Sequence, residues 1–227
     1  MPTLTPEEAK TFYDRFGSRQ DSQAFYEAPA LDQLIANSSF ENAQSVFEFG
    51  CGTGRLALHL LQNHLQPDAV YRGTDISSTM IDLASSRLSP FAARATVKLA
   101  PGELSFPLED FSVDRVVSTY VLDLLPDPAV QQFLQEATRV LRPQGLLCLV
   151  GITHGTTPIS RVVMAAWRWL FRWRPSWVGG CRPTRLDARL SPAAWSVRFR
   201  TVTVAWGISS EVLVAALSNV PANPPRP

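Results

Sequence analysis

The stretch VFEFGCGTGRL, residues 46–56, decides the fold of this 227-residue chain. An apolar run that contains Glu48 opens into glycines at alternate positions, which predicts a buried strand, a tight turn and the start of a helix. Glycine lets the backbone adopt positive φ and approach a ligand without a Cβ, while a helix that begins near Gly54 directs free N–H groups at that ligand. A nucleotide-like cofactor is therefore expected at this turn.

The spacing of the glycines separates two classes of cofactor. The dinucleotide fingerprint G-x-G-x-x-G requires a third glycine at position 55, where this chain has Arg55. The glycines instead follow G-x-G-x-G, with Glu48 two residues before the first. This pattern resembles motif I of the class I S-adenosylmethionine-dependent methyltransferases. The alternative is a glycine-rich turn in a purely structural αβ unit, and the downstream sequence bears on that choice.

The second predicted strand, residues 69–74, ends at a carboxylate, Asp75, which lies 21 positions after Gly54. A carboxylate at the tip of this strand can accept hydrogen bonds from both ribose hydroxyls of an adenosyl group. In the methyltransferases that the chain resembles, an acidic residue has that role here. The alternative is that Asp75 and the serines at 77 and 78 only cap a helix that ends near Leu88.

A third predicted strand, residues 95–99, is followed by Gly102 and Glu103. The similar enzymes often carry Gly-Asp-Ala at this point, and their acidic residue holds the adenine amino group. The resemblance therefore implies an adenine contact for Glu103. An exposed loop carboxylate is the alternative, because the segment before Pro107 is one residue shorter here than in those enzymes.

Two further segments resemble the same family. Residues 111–123 resemble the approach to its fourth strand. A helix predicted at 134–141, ended by Arg142-Pro143-Gln144-Gly145, resembles the helix and turn that precede its fifth strand, here residues 146–151. The likeness thus extends from the glycine turn to the fifth strand.

Strands and helices alternate over residues 46–151, the pattern of a parallel sheet covered by helices on both faces. Residues 195–204 alternate like a further strand. Residues 211–216 are predicted to be the last, antiparallel strand because the similar family ends in a hairpin; a helix capped near Ser209 is the alternative. The fold class is α/β, with a Rossmann-like, doubly wound, seven-stranded and mostly parallel sheet whose last strand is antiparallel, in a single domain.

The predicted methyltransferase domain spans residues 1–220, and residues 221–227 are expected to form a disordered tail. Thr5, Pro6 and Glu8 have the pattern of a capped helix start. The predicted parts of the domain are an N-terminal helical lid at 1–40, a cofactor-binding core at 41–153, a basic aromatic cover segment at 154–194 and C-terminal strands at 195–220.

Ligands of such sheets bind at the carboxyl ends of the strands. The resemblance implies that S-adenosylmethionine binds there and leaves as S-adenosylhomocysteine. The predicted cofactor-binding residues are Tyr13, Glu48, Gly50, Cys51, Gly52, Gly54, Asp75, Ile76, Met80, Gly102, Glu103, Ser118 and Thr119.

Methyl transfer from a sulfonium is an in-line displacement, in which a general base is needed only if the acceptor must lose a proton. Candidate catalytic residues at the strand tips are Tyr120, Asp123 and His154. A histidine after the fifth strand often only hydrogen-bonds a loop, which is the alternative for His154. Tyr26 in the lid and Trp167 in the cover segment are the candidate substrate contacts.

The composition agrees with one soluble domain. The chain is 45% hydrophobic and 18% charged, which allows a large core without disulfides. Its three cysteines have neither paired nor ligand-like spacing, so we expect a reducing, cytoplasmic compartment and no metal. The first residues show neither the basic nor the apolar region of a signal peptide, and none is predicted.

Charge is divided unevenly along the chain. Residues 1–150 contain 11 Lys and Arg against 18 Asp and Glu, whereas residues 151–227 contain 10 against 2. The basic part includes the tryptophan- and arginine-rich segment 161–174, which is too short to span a bilayer and is typical of a peripheral membrane contact. We expect its aromatic residues to face the methyl-donor pocket. A cover helix with a solvated arginine face is the alternative.

We therefore predict a class I S-adenosylmethionine-dependent methyltransferase with a small hydrophobic or aromatic acceptor. A nucleic-acid acceptor is not expected, because the Asp/Asn-Pro-Pro-Tyr/Phe motif that similar nucleobase-methylating enzymes carry after the fourth strand is missing there. One alternative is a catalytically silent adenosyl-binding partner subunit. Another is an NAD(P)-dependent oxidoreductase, which Arg55 in place of glycine argues against.

Overall fold

The computed structural model describes residues 4–100 and 104–218, so Gly102, Glu103 and the predicted tail lie outside the described residues. The strands of the described ranges are β1 Ser45–Phe49, β2 Val70–Asp75, β3 Ala95–Leu99, β4 Val113–Thr119, β5 Leu141–Ile152, β6 Trp195–Ala205 and β7 Ile208–Leu217. They form one seven-stranded sheet in the order β3-β2-β1-β4-β5-β7-β6. β1 to β5 pair in parallel, and β7 runs antiparallel to β5 and β6. The predicted fold class is confirmed.

The helices of the described ranges are α1 Pro6–Phe16, α2 Ala24–Asn37, α3 Arg55–Asn63, α4 Ser78–Arg87, α5 Asp127–Val140 and α6 Pro158–Trp173. α1 begins as predicted, because Thr5 Oγ1 accepts a hydrogen bond from the Glu8 amide while the Glu8 carboxylate accepts one from the Thr5 amide. A 3-10 helix at Gly17–Gln23 joins α1 to α2 within the predicted lid, residues 1–40. Of the helices described, none is long and apolar enough to cross a membrane.

Helices cover the sheet on both faces, which explains why its central strands are apolar along their length. In one buried cluster, Leu34 of α2 and Leu60 of α3 pack with Tyr71 of β2. In a second cluster, Phe133 of α5 packs with Phe47 of β1. The carboxyl ends of the strands are then the edge of the sheet at which a ligand can bind.

Two boundaries predicted for the α5–β5 region are wrong. The helix predicted at 134–141 begins earlier, at Asp127. Pro128 is tolerated in its first turn because a backbone N–H at that position would have no partner within the helix. The strand predicted at 146–151 begins at Leu141, because Leu141 pairs with Val113 of β4 ahead of a register shift. Both errors lie at element ends, where local sequence signals are weakest.

Residues 211–216 lie in a strand as predicted, and the helix alternative is wrong. A continuous apolar run fits a buried strand and a buried helix equally well by periodicity, so only its neighbours decide. β7 lies between β5 and β6. Its buried Glu211 is fully paired, accepting from Arg200 Nε at 2.6 Å and from the Leu186 amide at 2.7 Å.

Candidate active site

The glycine turn after β1 has the predicted geometry. Gly50, Gly52 and Gly54 have φ values of +79°, +52° and +75°, a region that residues with a Cβ rarely adopt. A Cβ on Gly50 would lie 2.3 Å from Cγ2 of Val121, so this position also has no room for a side chain. Gly54 is the N-cap of α3, and a Cβ there would lie 3.1 Å from Cα of Ala84 in α4. The turn therefore requires glycine for both conformation and space.

Asp75 joins this turn to the start of α4. Its Oδ2 accepts from the Gly52 amide and its Oδ1 from the Ser77 amide, both at 2.9 Å. Ser77 is the residue that caps α4, since its Oγ accepts from the Met80 amide at 3.2 Å. Desolvation raises the pKa of Asp75, and the backbone hydrogen bonds lower it. Asp75 thus organises the ligand-facing turn, while the capping role falls to Ser77.

Glu48 lies on β1 next to the turn and is almost completely buried. The hydroxyl of Tyr71 on β2 donates to its Oε2 at 2.6 Å. Desolvation raises the pKa of the Glu48 carboxyl to about 7, and the tyrosine hydrogen bond opposes that rise. The acidic residue before the glycines therefore links β1 to β2 beneath the site.

One cavity of about 810 Å³ brings together most of the predicted cofactor residues. Sites for small molecules have volumes of roughly 300–1,000 Å³. One part of its wall is polar and includes the glycine turn and Asp75; another part is apolar and includes Leu124 and Leu125. The predicted residues that line it are Tyr13, Tyr26, Glu48, Gly50, Cys51, Gly52, Asp75, Ile76, Thr119 and Tyr120.

Tyr120 follows β4 and has a φ of +58°, a strained conformation for a residue other than glycine. Its amide donates to the Val150 carbonyl at 2.8 Å and its hydroxyl to Ser210 Oγ at 3.0 Å. The ring of Tyr26 in the lid packs edge-to-face on it, with centroids 5.9 Å apart. Burial raises the pKa of both phenols above their usual range, so both are neutral at physiological pH.

Three predicted cofactor residues support the site without lining the cavity. Ser118 Oγ donates to the Phe49 carbonyl at 3.0 Å and so holds β4 against the end of β1. Met80 is buried within α4, behind the Ser77 cap. Gly54 fixes the start of α3 against α4, as described above.

The structure does not bring Asp123 or His154 into this cavity. Asp123 is completely buried, and its Oδ2 accepts from the Ile152 amide at 2.7 Å. Burial raises the pKa of the Asp123 carboxyl to about 7. His154 is exposed after β5 and lines a separate cavity. Neither side chain is therefore placed to contact a ligand bound at the glycine turn.

The expected orientation of the aromatic residues in α6 is wrong. Trp167 packs near Tyr26 and Met164, and its indole N–H donates to the Cys181 carbonyl at 2.8 Å, but it does not line the cavity. Trp169 and Trp173 are exposed. The reason is that α6 packs on the sheet through Met164 and other inward side chains, which turns the tryptophan-rich side outward.

A polar network between the lid and the glycine turn was missed by the sequence-based predictions. Asp21 accepts from Thr53 Oγ1 at 2.7 Å and pairs with Arg87 of α4 at 2.6 Å. Arg87 also donates to the Thr53 carbonyl at 3.0 Å. Gln20 lies above the turn, where a Cβ on Gly52 would be 2.9 Å from its side-chain amide. The sequence does not single out the lid carboxylate of this network, because charged residues on helices usually face solvent.

Glu27 of α2 is a second residue that the sequence-based predictions missed. It lines the cavity, is buried, and forms an ion pair with Arg55, the first residue of α3. Desolvation raises the pKa of the Glu27 carboxyl to about 7, although Arg55 lowers it. A carboxyl group with a pKa near neutrality inside a cavity is suited to accept a proton.

The groups in the cavity fit an S-adenosylmethionine molecule. Asp75 lines the cavity with a carboxylate that would accept from ribose hydroxyls, and Gly52 lines it with backbone that carries no side chain. Gln20 Oε1 is buried and has no hydrogen-bond partner among the described residues, so it is available to a ligand ammonium group. Ile76 and Ala100 contribute apolar wall on the β2 and β3 side, where an adenine ring would lie.

The fold and the glycine turn are those of the Rossmann-like class. The model of a family described as a methyltransferase domain matches residues 46–145. This match confirms the predicted recognition as a class I S-adenosylmethionine-dependent methyltransferase at the level of the domain.

Two curated relatives act on different kinds of acceptor by name. The tRNA N(3)-methylcytidine methyltransferase Mettl2 of Drosophila melanogaster is 32% identical over 150 residues, which are 62% of this chain and 46% of that protein. The malonyl-[acyl-carrier protein] O-methyltransferase of Marinomonas sp. (strain MWYL1) is 29% identical over 146 residues, which are 64% of this chain and 52% of that protein. The chain spans about half the length of these relatives.

Solved structures share the whole fold. The crystal structure of the [4+2]-cyclase SpnF is similar to this fold with a TM-score of 0.71 and 15% sequence identity. The alignment covers 95% of this chain and 98% of the SpnF chain. The shared fold therefore extends over nearly the whole chain.

Proposed function

We propose that this chain transfers the methyl group of S-adenosylmethionine to a small hydrophobic or aromatic acceptor. The observation that supports this is a single cavity that joins the glycine turn and Asp75 to an apolar, aromatic wall. Tyr13 and Gln20 of the lid line the same cavity, so an acceptor has to fit beneath the lid. A small molecule meets that requirement.

Bound S-adenosylmethionine supplies a methyl group on a positively charged sulfur. The glycine turn, Asp75 and Ile76 would hold its adenosyl part, and Gln20 its amino-acid part. Tyr26 and Tyr120 are neutral phenols that can orient an acceptor by packing and hydrogen bonding. The lid keeps water from the cavity, and catalysis then follows mainly from holding the acceptor in line with the methyl group.

Glu27 is the residue we propose as a general base for an acceptor that must lose a proton. It lines the cavity, and its carboxyl pKa is raised to about 7. Arg55 keeps a positive charge beside the carboxylate, so the ionised form that accepts a proton is available at neutral pH. Tyr120, Asp123 and His154 are less suited, because the first is a neutral phenol and the other two do not line the cavity.

A peripheral membrane contact through α6 is part of the proposal. Ile159, Val162, Trp169 and Trp173 are 74%, 71%, 58% and 73% exposed, and their spacing places them on one stripe of the helix. Arg161, Arg168 and Arg172 lie on the neighbouring stripe and are exposed as well. An apolar stripe beside a cationic one suits the surface of an anionic membrane, from which an apolar acceptor would be taken.

The proposal is tested by methyl transfer from labelled S-adenosylmethionine to separated acceptor pools. The pools are a lipid-soluble extract, a water-soluble small-molecule extract and total tRNA, with the Gly52→Val protein as the control. We expect label in one apolar small molecule. Label in tRNA alone would overturn the small acceptor and keep methyl transfer. Cofactor binding without transfer to any pool would instead support the silent partner subunit.

A further inference from the structure

A second cavity, of about 490 Å³, lies between α6 and residues 182–189. Methyl transfer as proposed above makes no use of it. Among the described residues that line it, none carries a carboxylate, and its charged residues are all basic. They are Arg168 and Arg172 of α6 and Arg182 and Arg189 of the facing segment. His154 after β5 also lines the cavity, and Trp169 and Phe171 form the aromatic part of its wall.

The positive charge of this cavity is only partly compensated. Asp127 pairs with Arg182 at 2.8 Å and with Arg189 at 2.7 Å, so one carboxylate serves two guanidinium groups. Arg168 and Arg172 form no ion pair with any residue in the described ranges. In addition, Nε of Arg182 is buried and has no hydrogen-bond partner there. A buried donor that is left without an acceptor is costly, and an anionic ligand would satisfy it.

We infer that this cavity binds a phosphate group, and we name it the phosphate cavity. Guanidinium groups present planar pairs of donors that match phosphate oxygens, and several of them around one site are typical of phosphate recognition. Trp169 and Phe171 provide apolar wall for the organic part of a phosphate ester. A free phosphate ester and a phospholipid headgroup offer the same chemistry to these residues.

The phosphate cavity and the cofactor cavity are neighbours with separate walls. Within the described ranges they share no lining residue. They are adjacent because Cys181 lines the cofactor cavity and the next residue, Arg182, lines the phosphate cavity. The Arg182 amide donates to the Asp123 carbonyl at 3.2 Å, and its guanidinium donates to the Leu125 carbonyl at 2.6 Å. The inference does not depend on methyl transfer, because it rests on residues outside the cofactor cavity.

The test compares two double variants that remove the same charge. Arg168→Gln with Arg172→Gln changes the phosphate cavity, and Arg72→Gln with Arg198→Gln changes exposed arginines outside it and outside α6. Binding of glycerol 3-phosphate and inorganic phosphate is measured by titration calorimetry at constant ionic strength. Binding to phosphatidic acid vesicles, against phosphatidylcholine vesicles, is measured by sedimentation. The melting-temperature rise with S-adenosylhomocysteine, expected in both variants, verifies the fold.

We expect the cavity pair to weaken phosphate binding by about tenfold or more and the control pair to change it by less than about twofold. Loss of glycerol 3-phosphate binding in the cavity pair identifies a free ester as the ligand. Loss confined to phosphatidic acid vesicles identifies a lipid headgroup. Equal losses in both pairs, or no binding of either probe by the unmodified protein, would overturn the inference. The inference would also be overturned if the unmodified protein bound RNA but neither glycerol 3-phosphate nor phosphatidic acid vesicles.

Discussion

The cofactor core and the exposed face of α6 differ in how their charged groups are paired. In the core, Asp75 accepts from two backbone amides and Glu48 accepts from Tyr71, so these carboxylates hold the protein's own structure together. In the C-terminal third, Arg168 and Arg172 have no ion-pair partner in the described ranges. We therefore expect the core to bind a ligand through a rigid, preorganised turn, whereas the exposed face of α6 has unpaired charge for a partner from outside.

The largest effect on cofactor binding is expected from a side chain added at Gly52, where the glycine turn has no space for one. A valine at Gly52 would occupy the left-handed φ of +52° and meet the Gln20 amide, so Gly52→Val should abolish cofactor binding. The measurement is the melting-temperature rise caused by S-adenosylhomocysteine. The matched control is Gly179→Ala, where φ is +64° and nothing lies within 4 Å of the added Cβ. Normal affinity in the valine variant would show that the turn does not contact the cofactor.

A smaller effect is expected from the carboxylate beside that turn. Asp75→Ala removes the acceptor for ribose hydroxyls and should weaken cofactor binding by about 1.5–3 kcal/mol, roughly 10- to 150-fold. Asp75→Asn should lose less, because one acceptor oxygen remains. Titration calorimetry with S-adenosylhomocysteine gives both values, and NAD should not bind to the unmodified protein. An unchanged affinity in the alanine variant would reduce Asp75 to a purely structural residue.

Asp123 lies between the two regions, and the raised pKa of its carboxyl group should make the stability of the fold depend on pH. Because its folded-state pKa is raised from 3.8 to about 7, its favourable contribution is complete below the unfolded pKa and is lost as pH rises through 7. The free energy of unfolding should fall by on the order of 1 kcal/mol per pH unit within that window. Asp123→Asn should remove that part of the slope and leave the part due to Glu27 and Glu48, whose carboxyl pKa values are also raised to about 7, while exposed Asp68→Asn should leave the slope unchanged. Identical slopes in all three proteins would contradict the assignment.

The smallest effect on stability and cofactor binding is expected from substitutions of the exposed tryptophans in α6. Trp169→Ala with Trp173→Ala should reduce sedimentation with anionic vesicles and leave the melting temperature and cofactor affinity unchanged, because both side chains are mostly in solvent. Trp206→Ala is the matched control, since that tryptophan is 80% exposed between β6 and β7. An equal loss of vesicle binding in the control would remove α6 as the membrane contact.

The sequence by itself determined the fold class and the cofactor turn. Glycines at alternate positions restrict the backbone to a turn with positive φ, and the period of the apolar residues separates helices from strands. Both signals act between residues close along the chain, so they can be read without tertiary contacts. Asp75 could be predicted for the same reason, because a strand that follows the first βα unit has to end near the turn.

Only the tertiary structure decided which distant side chains meet. Gln20 and Glu27 reach the cavity because the lid packs over the glycine turn, whereas His154, just after β5, and Trp167, within α6, lie outside it. The phosphate cavity likewise depends on α6 packing against a segment that follows it. Such convergence is set by packing across long chain separations, and that packing reflects the summed burial of many side chains rather than any short motif.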